Sequence, residues 1–284
     1  MAFKKESALK VAAKKLLKNK LATASFIFII IQLIMVVFAP LFTKYDPTEQ
    51  DITNQLLPMF TNGHIFGTDY LGRDLWSRII YGGRTSLAVG FCATFIGGAV
   101  GTVFGLLAGY YKKLDMPIMR IMDILFTFPG ILLAMLVVAM LGVSTVNSTI
   151  AISIWAVPGF ARMVRSKVLS IKEEDYILAI KSLGASDARI IFKHILKNCI
   201  PVIIVTATMR IAGSIMSIST LSYLGIGAPP PAPEWGGLIA DGKTYMFNHP
   251  HTILVPGITV MLTVIAYHIL GDKLRDIVDP SLKD

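Results

Sequence analysis

Residues 85–111 read TSLAVGFCATFIGGAVGTVFGLLAGYY and contain no charged side chain. About 20 apolar residues in a helix are enough to cross the hydrocarbon core of a bilayer, so this stretch predicts a transmembrane helix. Gly97, Gly101, Gly105 and Gly109 recur at four-residue steps and form one smooth helix face. We expect this face to admit a second helix closely, either inside the subunit, which we favour, or across an interface with another membrane subunit.

Five further apolar runs flank this stretch, and the six together predict an all-α integral membrane protein. The approximate bounds of the other five are Leu21–Phe42, Ile118–Leu141, Ser148–Ala161, Pro201–Leu224 and Thr252–Leu270. Pro129-Gly130 predicts a kink in the third span, and Pro158-Gly159 interrupts the short fourth span. Composition agrees, because only 16% of the 284 residues are charged, against about 25% in soluble domains.

The positive charge of the chain marks its topology. The net charge is +9, and 21 of the 27 lysine and arginine residues lie in segments that alternate spans place on one side. The positive-inside rule therefore predicts cytoplasmic N- and C-termini. The charges flank apolar runs, which favours a membrane over nucleic acid as the partner of this basic chain. The first apolar run is too long for a cleaved signal peptide, so we interpret it as an uncleaved helix.

A basic loop over residues 162–200 is the longest predicted cytoplasmic segment. Its centre, residues 173–198, reads EEDYILAIKSLGASDARIIFKHILKN. Acidic residues begin a first helix, where the helix dipole favours them. Gly184 suits the left-handed position that ends this helix, and Ser186 is a good N-cap for a second. The loop thus predicts two short amphipathic helices that meet at a glycine corner and either lie on an anionic leaflet or dock a soluble partner.

Three segments carry a family resemblance. They are GASDARIIFKHIL at 184–196, GTDYLGRDLWSRIIYGGR at 67–84, and LSYLGIG at 221–227 with EWG at 234–236. The first resembles the EAA loop of ABC importer permeases, and the set is similar to the C-type permease of oligopeptide, dipeptide and nickel transporters over nearly the whole chain. Two positions depart from the pattern: Glu-Ala-Ala becomes Leu178-Ala179-Ile180, and the usual proline after His-x-Leu is Lys197.

The resemblance implies a type I ABC importer permease fold in a bacterial inner membrane. It implies a heterodimer with a sister permease, two cytoplasmic ABC ATPase subunits and an extracellular substrate-binding protein. ATP and magnesium would be bound by the ATPases, with no cofactor, metal or catalytic residue on this subunit. The cargo would be short peptides, with nickel or a metal chelate as the alternative. The implied ATPase-coupling residues are Tyr176, Ala179, Gly184, Ala185 and Ser186.

The resemblance and the predicted spans divide the chain into four parts. Residues 1–20 form a cytoplasmic basic segment, and residues 21–84 form the first helix with an outer segment. Residues 85–271 form a five-helix permease core that contains the coupling loop at 162–200, and residues 272–284 form a cytoplasmic tail.

Residues 237–244, GLIADGKT, match the P-loop pattern but do not predict nucleotide binding. A P-loop needs a strand before it and a helix after it, so that backbone N–H groups surround the phosphates. Here the proline-rich stretch PPPAP at 229–233 precedes the segment, and the topology places it outside the cell.

Arg210 is the costliest residue in the predicted spans, because a charge in a bilayer must face protein, water or an interface. It either pairs with Asp123 to lock two helices or lines a translocation pathway with Ser214 and Ser217. The two histidines at 249 and 251 are a weak metal signal. Asp69, Arg73, Asp74 and Arg78 form either a turn before the second span or a contact with an external binding protein.

Two other classes of membrane protein fit the sequence less well. A secondary transporter would couple ions through intramembrane acids, and the predicted spans are nearly free of them. A membrane enzyme would need a catalytic constellation, and scattered serines and histidines do not supply one. Cys92 and Cys199 suggest neither a disulfide framework nor a metal cluster.

Overall fold

A computed structural model describes residues 17–278, which leaves most of the predicted N-terminal basic segment and the end of the tail outside the described residues. The described chain is helical and contains no strand, only two isolated bridges. The helices are α1 (Lys20–Val37), α2 (Ala39–Phe42), α3 (Leu75–Tyr110), α4 (Lys112–Thr127), α5 (Gly130–Leu141), α6 (Thr145–Lys172), α7 (Asp175–Ser182), α8 (Asp187–Arg189), α9 (Leu196–Tyr223), α10 (Trp235–Gly242) and α11 (His251–Val278). A π-helical segment, Ile190–Ile195, joins α8 to α9.

Four helices among residues 17–278 are long and apolar enough to cross a membrane, and the bent pair α4–α5 makes a fifth. The four are α1, α3, the continuous helix from Asp187 to Tyr223, and α11. By the length and composition of their helices, residues 17–278 therefore contain five candidate membrane spans at most, one fewer than the six predicted. The predicted fourth span lies in α6, which has 28 residues, but serine, threonine, asparagine and arginine side chains lower its apolar content.

The two proline-glycine pairs behave differently. Pro129 precedes a 92° bend between α4 and α5, which confirms the predicted kink. Pro158 lies inside an unbroken α6, so the predicted interruption there is wrong. Neighbouring helices explain the difference, since Val157, Pro158 and Phe160 are buried where α6 packs along α3, and this contact holds the helix through the proline.

The glycine face of α3 packs against α6 inside this subunit, as the favoured prediction had it. A β carbon added at each of the four glycines would approach atoms of α6 within 2.7 Å, closer than real contacts allow. The nearest of these atoms include the carbonyl oxygens of Val157 and Ala161. Only glycine permits backbones to approach so closely, and the close approach gives the helix pair its van der Waals stabilisation.

The segment before α3 folds over a buried group of charges. Asp69, Arg73, Asp74 and Arg78 are each no more than 4% exposed. Asp69 receives hydrogen bonds from Arg73 through its Nε at 2.7 Å, and Arg78 approaches the same carboxylate at 3.3 Å. These side chains are covered in this structure, which supports a structural turn and leaves them no surface for an external protein.

A carboxylate from a distant part of the chain completes this group. Asp241, on α10, lies 3.3 Å from Arg73 and 3.6 Å from Arg78. Partial burial raises the pKa of Asp241, against the opposing effect of the two arginines. The ion pairs connect the segment before α3 to α10, 168 residues apart in sequence.

Candidate functional site

The first half of the glycine corner has the structure that the sequence predicted. Helix α7 ends at Ser182, and Gly184 has φ +82°, the left-handed conformation that glycine adopts without strain. The N–H of Gly184 donates to the carbonyl of Lys181 at 3.0 Å, and that of Ala185 to Ile180 at 3.3 Å. These two bonds form a Schellman motif, which stops the helix sharply.

The second half of the corner differs from the prediction. Ser186 occupies the N-cap position of α8, but its side chain makes no capping hydrogen bond. The helix that starts at Asp187 is not short, because it continues through the π-helical segment into α9 as one helix of 37 residues. The corner is therefore joined directly to a membrane-spanning helix, and π segments of this kind are frequent at functional sites.

The corner presents an open face to its surroundings. Tyr176, Ala179, Gly184 and Ser186 are exposed, and Ala185 is half-buried against a core cluster. Leu183 is 87% exposed and Leu178 is 50% exposed. Exposed apolar side chains on a short helix outside the spans are typical of an interaction surface. Partial burial and the charge of Glu174 raise the pKa of the Tyr176 hydroxyl.

The opposite face of the corner is anchored to the spans. Ile177 is 2% exposed within a cluster that also contains residues of α3 and α6. The hydroxyl of Tyr110, at the end of α3, donates to Asp187 at 2.6 Å. Asn198 at the start of α9 donates to the Tyr176 hydroxyl at 3.0 Å. Sequence reasoning missed these tethers and did not single out Ile177 as the buried residue of this helix.

The three predicted pathway residues occupy different environments on α9. Ser214 is 3% exposed and shares a hydrogen bond of 3.1 Å with Thr94 of α3, so its hydroxyl lies at a helix contact. Ser217 is half-buried and donates to the carbonyl of Gly213. Arg210 is half-buried, with its guanidinium carbon 5.3 Å from the ring centroid of Trp155.

The predicted partner of Arg210 was wrong. Asp123 accepts a hydrogen bond from Arg162 at 2.8 Å instead. Arg162 lies on α6, next to the helix that carries Asp123, and is therefore the nearer cation. In the same way, Arg165 forms a two-bond ion pair with Asp115 of α4.

The EWG segment at 234–236 forms a buried insertion that sequence reasoning did not assign to any role. Glu234 is 2% exposed and caps α10 through the N–H of Gly237. The same carboxylate accepts from Ser86 at 2.8 Å, and the Trp235 indole donates to the carbonyl of Ile79 at 2.9 Å. The carboxylate thus fixes α10 between α3 and α9.

The P-loop-like residues 237–244 lie mostly within α10 itself. A helical segment cannot also wrap phosphate as a loop, so its geometry gives nucleotide binding no support. The Lys243 ammonium lies 5.4 Å from the centroid of the Tyr223 ring, a cation–π contact. Among residues 17–278 no group of three histidine, cysteine, aspartate or glutamate side chains is arranged to hold a metal ion.

Long apolar helices of this kind define an integral membrane protein. Residues 101–284 match the family described as "Binding-protein-dependent transport system inner membrane component". Residues 7–58 match the "N-terminal TM domain of oligopeptide transport permease C". The chain therefore belongs to the family of binding-protein-dependent transport permeases, and is the transmembrane permease subunit of an ABC importer in a bacterial inner membrane.

Individual relatives agree with this assignment. The chain is 46% identical over 273 residues to the dipeptide transport system permease protein DppC of Alkalihalophilus pseudofirmus, covering 96% of this chain and 90% of the relative. It is 41% identical over 271 residues to the glutathione transport system permease protein GsiD of Pectobacterium atrosepticum, covering 95% and 90%. A chain of the MetNI methionine ABC transporter has the same fold, with TM-score 0.60 and 20% identity over 72% of this chain and 97% of that one.

Proposed function

We propose that this permease forms, with a sister permease, the translocation pathway of a short-peptide importer driven by two cytoplasmic ATPase subunits. The observation that carries the proposal is the corner at Gly184, exposed on one face and anchored to the spans on the other. Relatives named for dipeptide and glutathione transport support peptides as the cargo class. A binding protein outside the membrane would deliver the cargo to this heterodimer.

We also propose six crossings with both termini in the cytoplasm, arranged as in a type I importer. An even number of crossings is needed for termini on one side, and α6 is the sixth candidate. Its 28 residues extend over about 42 Å, more than the hydrocarbon thickness. Contact with the glycine face of α3 covers part of its surface, so its polar side chains need not face lipid.

In this arrangement the energy for transport comes from the partners. ATP and magnesium would be bound by the ATPase subunits, and this chain would act without a cofactor or a catalytic residue. The coupling residues would be Tyr176, Ala179, Gly184, Ala185 and Ser186. Exposed Leu178 and Leu183 supply the apolar part of the same surface. Arg210 and Ser217 would lie along the pathway side of α9, with Ser214 behind them at the buried contact with α3.

The test is substrate-stimulated ATP hydrolysis by the reconstituted four-subunit transporter with its binding protein, measured with peptides and with chelated nickel. Gly184→Val should abolish stimulation while membrane insertion persists, because valine strains the left-handed backbone and projects into the docking face. A β carbon there meets no described atom within 4 Å, so nothing inside the subunit opposes it.

Gly225→Val is the matched control for this variant. Gly225 also has a positive φ, +80°, with open space around it, and it ends α9 with the same backbone motif: its own N–H donates to Ser222 and that of Ile226 donates to Leu221. Both variants therefore replace a left-handed glycine, at a strain of about 1–2 kcal/mol. Equal loss of stimulation in the two variants, or normal stimulation in Gly184→Val, would count against docking at the corner.

A further inference from the structure

Arg210 lies near the middle of α9, fourteen residues beyond Leu196, which is about 21 Å along the helix. Within residues 17–278 it has neither an ion pair nor a hydrogen bond. The two arginines of α6 that face α4 both have carboxylate partners in this chain. An arginine in a membrane span must face protein, water or an interface, so an acidic partner for Arg210 would come from outside the described residues.

The guanidinium of Arg210 is held from two sides. One side is the Trp155 ring, 5.3 Å from the guanidinium carbon. The other is the backbone at Gly159, where a β carbon would lie 2.4 Å from Nη2 and 3.2 Å from Cζ. Any larger residue at 159 would displace the guanidinium. The cation–π contact holds the guanidinium over the aromatic face, and its N–H groups make no hydrogen bond to the described residues.

The Trp155 ring is positioned by the bend in the preceding helix pair. A β carbon at Gly130 would lie 2.1 Å from Cε2 of this ring, so the ring rests directly on the backbone where α5 begins. Two glycines on two helices thus make room for one tryptophan and one arginine. Trp155 and Arg210 are both half-buried, so the arrangement keeps an open side.

The face of α9 next to Arg210 also leaves room for a ligand. Gly213 and Ser217 follow Arg210 at helical spacing, and a β carbon at Gly213 would meet no described atom within 4 Å. The Ser217 hydroxyl is half-buried and near this open position. A small anion can therefore approach the guanidinium edge along this face.

We propose that Arg210, with Trp155 and Gly159 as positioning residues, binds a carboxylate of the peptide during its passage. This inference rests on the proposed peptide-import function. The planar guanidinium matches a carboxylate with two parallel hydrogen bonds, and every peptide with a free C-terminus carries one. A carboxylate of the sister permease has the same chemistry, and the experiment separates the two sources.

The experiment compares wild type with Arg210→Gln and Arg210→Lys in the reconstituted transporter. Each complex is tested with one tripeptide as the free acid and as the C-terminal amide, and the ratio of variant to wild type is taken for each peptide. Because all complexes share one binding protein, its own preference cancels in that ratio. Binding of both peptides to the complex without binding protein is measured as well, so that the result does not require uptake of the amide.

Arg210→Gln should raise KM and the dissociation constant for the free acid about tenfold or more, the usual effect of losing a charge-assisted hydrogen bond. The values for the amide should stay within about twofold. Arg210→Lys should give free-acid values of KM and dissociation constant between those of wild type and Arg210→Gln, because lysine keeps the charge and loses the planar edge. Gly159→Ala should imitate Arg210→Gln by moving the guanidinium. Thr208→Ala, whose hydroxyl bonds only to Ile204 of its own helix, is the control and should match wild type.

Three results would overturn the proposal. Equal changes for acid and amide would remove the substrate carboxylate from the site. Reduced co-purification of the sister permease with Arg210→Gln, without acid selectivity, would assign the guanidinium to a subunit contact. Absence of peptide transport by wild type would overturn the proposed function itself, whereas wild-type transport with an unselective Arg210→Gln defeats this inference alone.

Discussion

Gly101→Ala tests the contact on which the permease core depends. An added β carbon at Gly101 would lie 2.5 Å from the Val157 carbonyl oxygen, 2.6 Å from the Phe160 β carbon and 3.1 Å from the Ala161 nitrogen. Two of these atoms are backbone and cannot rotate away. Because carbon contacts are normal near 3.5 Å, α3 and α6 would have to separate locally by about 1 Å.

The expected cost follows from two opposing effects. Overpacking of a close contact costs about 1–3 kcal/mol or more, and alanine improves helix propensity over glycine by about 1 kcal/mol. The rigid backbone places the cost at the upper end, so we expect a net loss of about 2 kcal/mol. Each kcal/mol corresponds to roughly 2–4 °C in the midpoint of unfolding, which predicts a fall of about 4–8 °C.

The assay is thermal unfolding of the purified subunit in detergent, followed by reaction of buried Cys199 with a thiol dye, in a Cys92→Ser background that removes the exposed thiol. Gly257→Ala is the matched control, because it is also helical and a β carbon there meets no described atom within 4 Å. That control should be neutral or up to about 1 kcal/mol more stable. A Gly101→Ala protein that unfolds at or above the midpoint of Gly257→Ala would refute the close packing of α3 on α6.

Three further changes address other contacts. Asp69→Asn leaves two buried arginines short of a carboxylate and should lower the free energy of unfolding by about 3–5 kcal/mol. Asp241→Asn should lower it less, because the Asp241 side chain is 35% exposed. Equal falls in the unfolding temperature of the two variants would contradict this difference in burial. Glu234→Ala removes a helix cap and a buried acceptor, and should lower the free energy of unfolding by about 2–4 kcal/mol. Glu234→Gln keeps an acceptor oxygen and should unfold at a higher temperature than the alanine variant. Tyr110→Phe should lower the free energy of unfolding by only about 1 kcal/mol, but it should reduce the number of peptides imported per ATP hydrolysed. If that number is unchanged, the hydrogen bond from Tyr110 to Asp187 has no part in coupling.

Local signals in the sequence predicted the features that local chemistry controls. The four-residue glycine step predicted a face for close helix contact, and the structure places α6 on it. Pro129 removes a backbone donor at a place where no neighbour restores the helix, and the chain bends there. Gly184 ends α7 through a left-handed backbone and two hydrogen bonds to carbonyls of that helix. All of these groups lie in one short segment, so the local sequence is enough to predict the helix end. Each of these signals lies within one short stretch of sequence, the longest being the 13 residues from Gly97 to Gly109.

Long-range pairing decided the features that the sequence did not predict. Arg73 and Asp241 are 168 residues apart, so no periodicity indicates that they meet. Charged residues before a span are ordinarily exposed, and burial of this group depends on α10 folding back. Asp123 pairs with Arg162 and not with Arg210 because α4 crosses α6, the helix that carries Arg162. Span counting failed at α6 because hydropathy does not register the neighbouring helices that cover its polar side chains.

Continuity of the helix from Asp187 to Tyr223 links the two proposed sites mechanically. Arg210 lies 23 residues beyond Asp187 on this helix, about 35 Å away. The tethers at Tyr110 and Asn198 lie on either side of the π-helical segment. A displacement of the corner can therefore either move the whole helix or be absorbed where the π segment breaks the regular bonding. If the helix moves as a unit, loss of the Tyr110 tether should alter carboxylate selectivity at Arg210 as well as coupling, whereas absorption at the π segment predicts a change in coupling alone.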